Sequence, residues 1–159
     1  MIVDDATLDW LAALRAHLVA DAALASIVGT DPASGAVKIF NRPPAHTALP
    51  YISFGDTAQR AFSTSDSYGQ EILVDVHCWA MRHSDGNQSP ATATARQMMA
   101  RVEAVVHMQP DLSGDRPALT IAGRNLLLAQ VVERSQLVLD PDGETNHGYL
   151  RIAALIGHG

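Results

Sequence analysis

Apolar and polar residues alternate most clearly between Glu71 and Met81, with the period of two that is typical of a β-strand. One face of this predicted strand carries only apolar side chains: Ile72, Val74, Val76, Cys78 and Ala80. The opposite face is mixed, since it carries the polar residues Asp75 and His77 together with the aromatic Trp79. The pattern therefore predicts a strand with one face in the core and the other face partly covered.

Two segments have the helical period instead. The first predicted helix places Leu8, Leu11, Leu14 and Leu18 within one arc, and Asp4 or Asp5 can cap its start. Asp21–Val28 adds a further helical turn or two before Gly29. The second main helix begins at Ser89–Pro90, and its apolar stripe contains Ala95, Met98, Met99, Val102, Val105 and Val106.

The remaining apolar runs predict further strands. They lie at Val37–Asn41, Tyr51–Gly55, Leu119–Ile121, Asn125–Asp140, with a bulge or bend near Glu133–Gln136, and Leu150–Ile156. Asp140–Gly143 has the composition of a tight turn. The predicted fold is α+β, in the order α-β-β-β-α-β-β-β. It has a single antiparallel-rich mixed sheet with two main helices on one face, as one domain over residues 1–159.

Residues Asp56–Gly69 have no clear period and predict a connection of about 14 residues, which is long for a hairpin. One interpretation is a solvent loop. The other is an arm that orders against another subunit, because Arg60, Phe62 and Tyr68 within it are residue types favoured at interface cores.

Composition narrows the possible function classes. The chain has 159 residues, 47% of them hydrophobic, and a formal net charge of −6, which argues against a protein that binds nucleic acid by neutralising phosphates. We expect no secretion signal after the acidic start at Asp4 and Asp5, and no apolar run reaches the roughly 20 residues of a membrane span.

Catalytic and metal-binding motifs are not found. The single lysine, Lys38, lies in a predicted strand, which excludes a phosphate-binding loop of the Walker type, and no dinucleotide-binding or serine-hydrolase motif occurs. Cys78 alternates with valines and is expected to be an inert core thiol. The seven histidines lack metal-ligand spacing and are interpreted as scattered surface residues, so no metal or cofactor is expected. One alternative stays open: a small-molecule-binding or enzymatic domain with Asp75, His77 and Glu133 in a pocket on the second sheet face.

The order of elements resembles a known family. The segments that carry the resemblance are Leu24–Gly29, Val37–Asn41, Leu49–Gly55, Val74–Trp79, Asp140–Gly143 and His147–Arg151. Together they are similar to the tail terminator, or tail completion, proteins that join heads to tails in long-tailed bacteriophages, prophages and gene transfer agents. The similarity covers roughly residues 8 to 155.

The resemblance implies a structural assembly protein of the virion, at the tail–head junction, which is assembled in the host cytoplasm and has no catalytic residues. It implies a ring, usually of six subunits, that caps the tail tube, meets the head connector or stopper, and leaves a channel for DNA. The expected partners are further copies of the chain and the major tail tube protein, without a membrane. We expect Arg60, Phe62, Tyr68, His77 and Trp79 to contact a neighbouring subunit or the tube.

Overall fold

The computed structural model describes residues 5–63, 68–81 and 93–157, and within those ranges it has three helices and six strands. The helices are α1 (Thr7–Val19), α2 (Ala22–Val28) and α3 (Ala93–Val106). The strands are β1 (Ile39–Phe40), β2 (Tyr51–Ser63), β3 (Tyr68–Met81), β4 (Asn125–Arg134), β5 (Val138–Leu139) and β6 (Thr145–Gly157). The predicted helix start at Ser89–Pro90 lies outside the described residues.

All of these strands belong to one sheet, which confirms the predicted α+β class. Its order is β1-β2-β3-β6-β4, and β5 pairs with β6 beyond the end of β4. Only β1 and β2 run parallel; the other described pairs are antiparallel. The two central strands, β3 and β6, pair along their whole length from Gly69↔Gly157 to Met81↔Thr145.

The core lies between the helices and one face of the sheet. The five apolar residues predicted to line one side of β3 are buried, and so are Leu150, Ile152, Ala154 and Ile156 of β6. The predicted stripe of α3 packs on these strands, with all of its members buried except Val105, which is partly buried. Period-two and helical patterns therefore predicted the core correctly here.

The apolar stripe of α1 differs from the prediction. Leu8 is 78% exposed, whereas Trp10, Leu14 and Leu18 are fully buried. These three are spaced by four residues, and Leu8 lies about 120° from Leu14 around the helix, outside that stripe. The N-cap position of α1 is Ala6, and no side chain caps it, so the predicted cap by Asp5 is wrong and Asp4 lies outside the described residues. The Asp5 carboxylate still accepts a hydrogen bond from the Thr7 N–H at 2.8 Å.

The predicted loop at Asp56–Gly69 is wrong for most of its length. β2 continues to Ser63 and β3 begins at Tyr68, with ladder pairs up to Ser63↔Tyr68. Residues 55–62 are exposed, so burial imposes no apolar period on them, and the backbone ladder makes the strand instead. We call residues 55–63 and 68–73 the hairpin arm.

The predicted strand at Leu119–Ile121 does not form. Leu119 and Ile121 are buried, but the Leu119 N–H donates to Oε1 of Gln109 at 3.0 Å rather than to a neighbouring strand. Gln109 is fully buried, and its side-chain amide also donates to the carbonyls of Val105 and Pro117. The buried Gln109 side chain thus provides the hydrogen-bond partner that a neighbouring strand would otherwise give to the Leu119 backbone N–H.

The bend predicted near Glu133–Gln136 is confirmed. The register of β4 against β6 shifts between Val131 and Glu133, β4 ends at Arg134, and pairing resumes at Val138. The turn at Asp140–Gly143 is also confirmed, with Gly143 at a φ of +73°.

Within the described residues, no single helix is long and apolar enough to cross a membrane. Helices α1 and α2 pass such a test only when joined across a bend of 85°. Their apolar residues Trp10, Leu14 and Leu24 are fully buried in the core.

Candidate functional site: the open face of the sheet and the hairpin arm

The sheet face opposite the helices, here called the open face, carries a group of aromatic rings. It forms because alternate residues of β3 and β6 point away from the core, and the register sets Trp79 opposite His147 and His77 opposite Tyr149. Tyr51 of β2 is the neighbour of Trp79 on the other side. We call these five residues the ring cluster.

The rings of the cluster contact one another closely. The Trp79 and His147 rings are stacked with centroids 3.7 Å apart and planes within 4° of parallel. The His77 centroid lies 4.9 Å from that of His147, and Nδ1 of His77 is 2.6 Å from Nε2 of His147 in a hydrogen bond. Tyr51 stacks on Trp79 at 6.1 Å. Since all five side chains are only partly buried, the cluster presents rings to the surface.

Two residues of β2 position the cluster. A Cβ atom at Gly55 would lie 2.4 Å from Nε2 of His77, so the absence of a side chain there leaves room for the imidazole. The Trp79 indole N–H donates to Oγ of Ser53 at 3.0 Å. The β-bulge between Phe54 and Thr57 places Gly55 beside Asp75 and His77.

Burial lowers the pKa of both histidines of the cluster. For His77 the nearby carboxylates of Asp75 and Asp56 partly oppose this effect. For His147 the charge of His77 adds to it and Asp140 opposes it. The neutral pair, in which one ring nitrogen donates and the other accepts, is therefore the favoured state.

An ionic group lies beside the cluster on the same face. Arg151 Nε donates to Oδ1 of Asp75 at 2.9 Å, and its Nη1 donates to Oε2 of Glu133, also at 2.9 Å. The Tyr149 hydroxyl donates to the other Glu133 oxygen at 2.9 Å, and this bond raises the pKa of Tyr149. The hydrogen bond to Asp75 raises the pKa of Arg151. The guanidinium thus joins both carboxylates.

The hairpin arm carries the other three predicted residues. Arg60 and Phe62 pair with Glu71 and Gly69, which places them on the open face, whereas Tyr68 falls on the helix side of the sheet. Arg60 forms an ion pair with Glu71 at 3.1 Å. Phe62 is 43% exposed, and its ring approaches the backbone of Gly69.

The five predicted contact residues thus fall into two groups. Arg60 and Phe62 lie about 20 to 33 Å along the sheet from His77 and Trp79, at about 3.3 Å per strand residue, and Tyr68 faces the other side. Sequence reasoning missed His147, Tyr149 and Arg151, although they alternate with the predicted buried residues of β6. The interpretation of the histidines as scattered is wrong for the hydrogen-bonded pair His77 and His147.

The alternative set of Asp75, His77 and Glu133 does not converge on a free reaction centre. Arg151 engages both carboxylates, and His77 bonds to His147. Within the described residues no three His, Cys, Asp or Glu side chains come together to hold a metal ion. A cavity of about 390 Å³ lies elsewhere, lined by His17, Asp21, Arg101 and Arg116 among others.

Cys78 lies on the core side of β3. Its thiol is fully buried, and burial raises its pKa to about 12. The thiolate required for nucleophilic chemistry is therefore strongly disfavoured, in agreement with the inert core thiol expected from the sequence.

Comparison with known proteins identifies the family. Residues 12–157 match the family described as tail completion protein gp17. The chain is 27% identical over 122 residues to the tail completion protein gp17 of Bacillus phage SPP1, covering 76% of this chain and 78% of that protein. A chain from the virion of a native gene transfer agent particle has the same fold, with a TM-score of 0.69 and 19% identity over 92% of each chain. The chain therefore belongs to the tail completion protein gp17 family.

Proposed function

We propose that this protein is a structural component of a phage-type virion that forms a ring, usually of six copies, on the end of the tail tube. The ring ends elongation of the tube and joins it to the head connector or stopper. Membership of a tail completion family supports an assembly role rather than catalysis. The protein acts at the tail–head junction after assembly in the host cytoplasm, without a cofactor or a membrane.

The observation that carries the proposal is the ring cluster on the open face. Aromatic side chains, half-buried and held by neighbours, are enriched at the centres of protein interfaces because they bury a large area at little conformational cost. Trp79 and Tyr51 are large rings of this kind, and stacking and one hydrogen bond restrain Trp79. The open face therefore suits contact with a flat protein surface such as the tail tube or a neighbouring copy.

The hairpin arm supplies a second, separate surface. A closed ring of identical subunits requires two different patches on each copy, because each copy contacts its two neighbours through different surfaces. Phe62 and Arg60 on the arm and His77 and Trp79 on the cluster would serve as such patches, about 20 to 33 Å apart. Tyr68 would contact a neighbour from the helix side of the same arm.

The negative net charge of the chain is compatible with a channel through which DNA passes without specific binding. Each copy has a formal net charge of −6, so six copies would carry −36. A ring of that charge repels the phosphate backbone rather than holding it.

The test is capping of purified tail tubes, followed by electron microscopy and native mass measurement. We expect a ring at one end of each tube and a species of about 100 kDa, six times the 17.0 kDa chain. Trp79→Ala and Phe62→Ser should each remain folded and lose capping. Leu112→Ser, which changes another exposed apolar residue (93% exposed), should cap normally. A monomer that leaves the tubes bare, or one that binds a small molecule through Asp75 and His77, would overturn the proposal.

A further inference from the structure

The outer edge of β2 is largely uncovered. β1 pairs only with Ile52 and Ser53, and none of the described residues pairs with the backbone of β2 beyond Ser53 on that side. The exposed stretch from 55 to 62 contains no proline or lysine; its charged residues are Asp56 and Arg60, and Arg60 is paired with Glu71. An edge of this kind is a template for another extended chain.

The ladder determines which backbone groups this edge offers. The Ile52 N–H donates to the Lys38 carbonyl, on the side of β2 away from β3. The backbone N–H and C=O of its ladder partner Cys78 therefore point to β6, because this pair shares no hydrogen bonds. The backbone groups of every second residue of β3 from His77 to Gly69 point to β2 instead. Three residues of β2 are the ladder partners of these β3 residues, and their backbone groups bond to β3: Ala58, Arg60 and Phe62. The outward N–H and C=O groups are consequently those of Thr57, Gln59 and Ala61.

The opposite edge of the sheet is closed along β4 and open along β5. The backbone of Ala129 exchanges two hydrogen bonds with Gln109, and the Val131 N–H donates to Nδ1 of His107. In β5, no described residue bonds the outward backbone groups of Leu139. The side chains of Val138 and Leu139 are 57% and 44% exposed.

We infer that the β5 edge of one copy pairs with the outer edge of β2 in the next copy, so that the sheet continues around the ring. This inference rests on the proposed ring and names its subunit contact. The occupant is a second copy because the same chain carries, on opposite sides of its sheet, two edges with which no described residue pairs, as a head-to-tail ring requires. Val138 lies on the open face, like its ladder partner His147. Ala58 and Phe62 lie on the same face, like their partners in β3. The open faces of two copies would therefore be continuous where β5 of one copy pairs with β2 of the next.

Cross-linking tests the contact directly. Ala58→Cys and Val138→Cys place thiols on the open face of the two edges, and the natural Cys78 is buried with a pKa of about 12, so it does not compete. With tail tubes and a short bismaleimide, the double variant should give a ladder of covalent multimers that ends at the closed ring. Each single variant should remain monomeric on a denaturing gel. Dimers from Ala58→Cys alone would indicate two β2 edges pairing and would overturn the inference.

A backbone variant provides a second test. Ala61→Pro removes one outward N–H without removing a bond to β3, so we expect a folded monomer whose ring formation is weakened at least tenfold. Ala61→Thr keeps the N–H and should assemble normally. Two results would overturn the edge pairing and leave the proposed ring intact. One is a ring on the tubes in which the double cysteine variant does not cross-link. The other is normal ring formation by Ala61→Pro. Bare tubes with the unaltered protein would overturn both.

Discussion

Burial of the His77 and His147 rings makes stability depend on pH. Burial lowers both folded-state pKa values below the ordinary value of 6.5, so the unfolded chain takes up protons first as the pH falls. This stabilisation is fully present above pH 6.5 and is lost progressively below it. We expect the melting temperature to fall by about 2–4 °C between pH 7.5 and 5.5 through this pair, corresponding to about 1 kcal/mol.

His77→Gln should show a smaller decrease in melting temperature over the same interval, because it removes one of the two titrating rings. His46→Asn changes an exposed histidine outside the cluster, at a φ of +63° that asparagine tolerates, and should retain the full decrease. An equal decrease in all three proteins would show that other groups govern the acid response.

Gly55 carries a prediction of its own. A methyl group there would overlap the imidazole of His77, which must then move away from His147. Gly55→Ala should change the fluorescence of Trp79 and reduce the pH response described above. Gly157→Ala provides a control, because a Cβ atom there would lie at an ordinary contact distance of 3.5 Å from Cδ1 of Leu127. Unchanged fluorescence would mean that the imidazole finds another place without disturbing the stack.

At the scale of elements, Asp21 joins two helices. Its carboxylate caps α2 through the Leu24 N–H at 2.9 Å and forms two hydrogen bonds to Arg101 of α3, at 2.8 and 2.6 Å. Asp21→Ala removes the cap and the ion pair, and we expect it to lower the free energy of unfolding by about 2 kcal/mol. Asp21→Asn keeps a capping side chain and should cost about half as much in urea unfolding. Equal losses would show that the cap contributes nothing.

Gln109 holds the segment after α3. Its side-chain oxygen accepts from the N–H groups of Asp111 and Leu119, and replacing it with leucine leaves those groups without a partner. Gln109→Leu should lower the free energy of unfolding by about 2–4 kcal/mol, measured in urea. Gln136→Leu, at an exposed position, should change it little. A stable Gln109→Leu protein would mean that water replaces the amide.

The sequence predicted those elements in which buried apolar side chains recur at a regular spacing. The alternation in β3 and β6 and the stripe of α3 led directly to the core. The hairpin arm was missed because residues 55–62 are exposed and leave no period. The pairing of Trp79 with His147 was beyond reach for another reason: it depends on which distant strands meet and in which register, and local patterns do not encode this.

At the scale of the whole molecule, the proposed ring would have to form against repulsion between acidic copies. If the ring contact consists of backbone pairing and apolar side chains, salt should strengthen it by screening the −6 carried by each copy. Raising NaCl from about 0.05 to 0.5 M shortens the screening length from about 14 Å to about 4 Å, so we expect more ring in sedimentation at a fixed protein concentration. Asp56→Asn with Glu144→Gln changes the net charge from −6 to −4 and should weaken this salt dependence. Dissociation of the ring on adding salt would instead indicate that ion pairs such as those available to Arg60 hold the copies together.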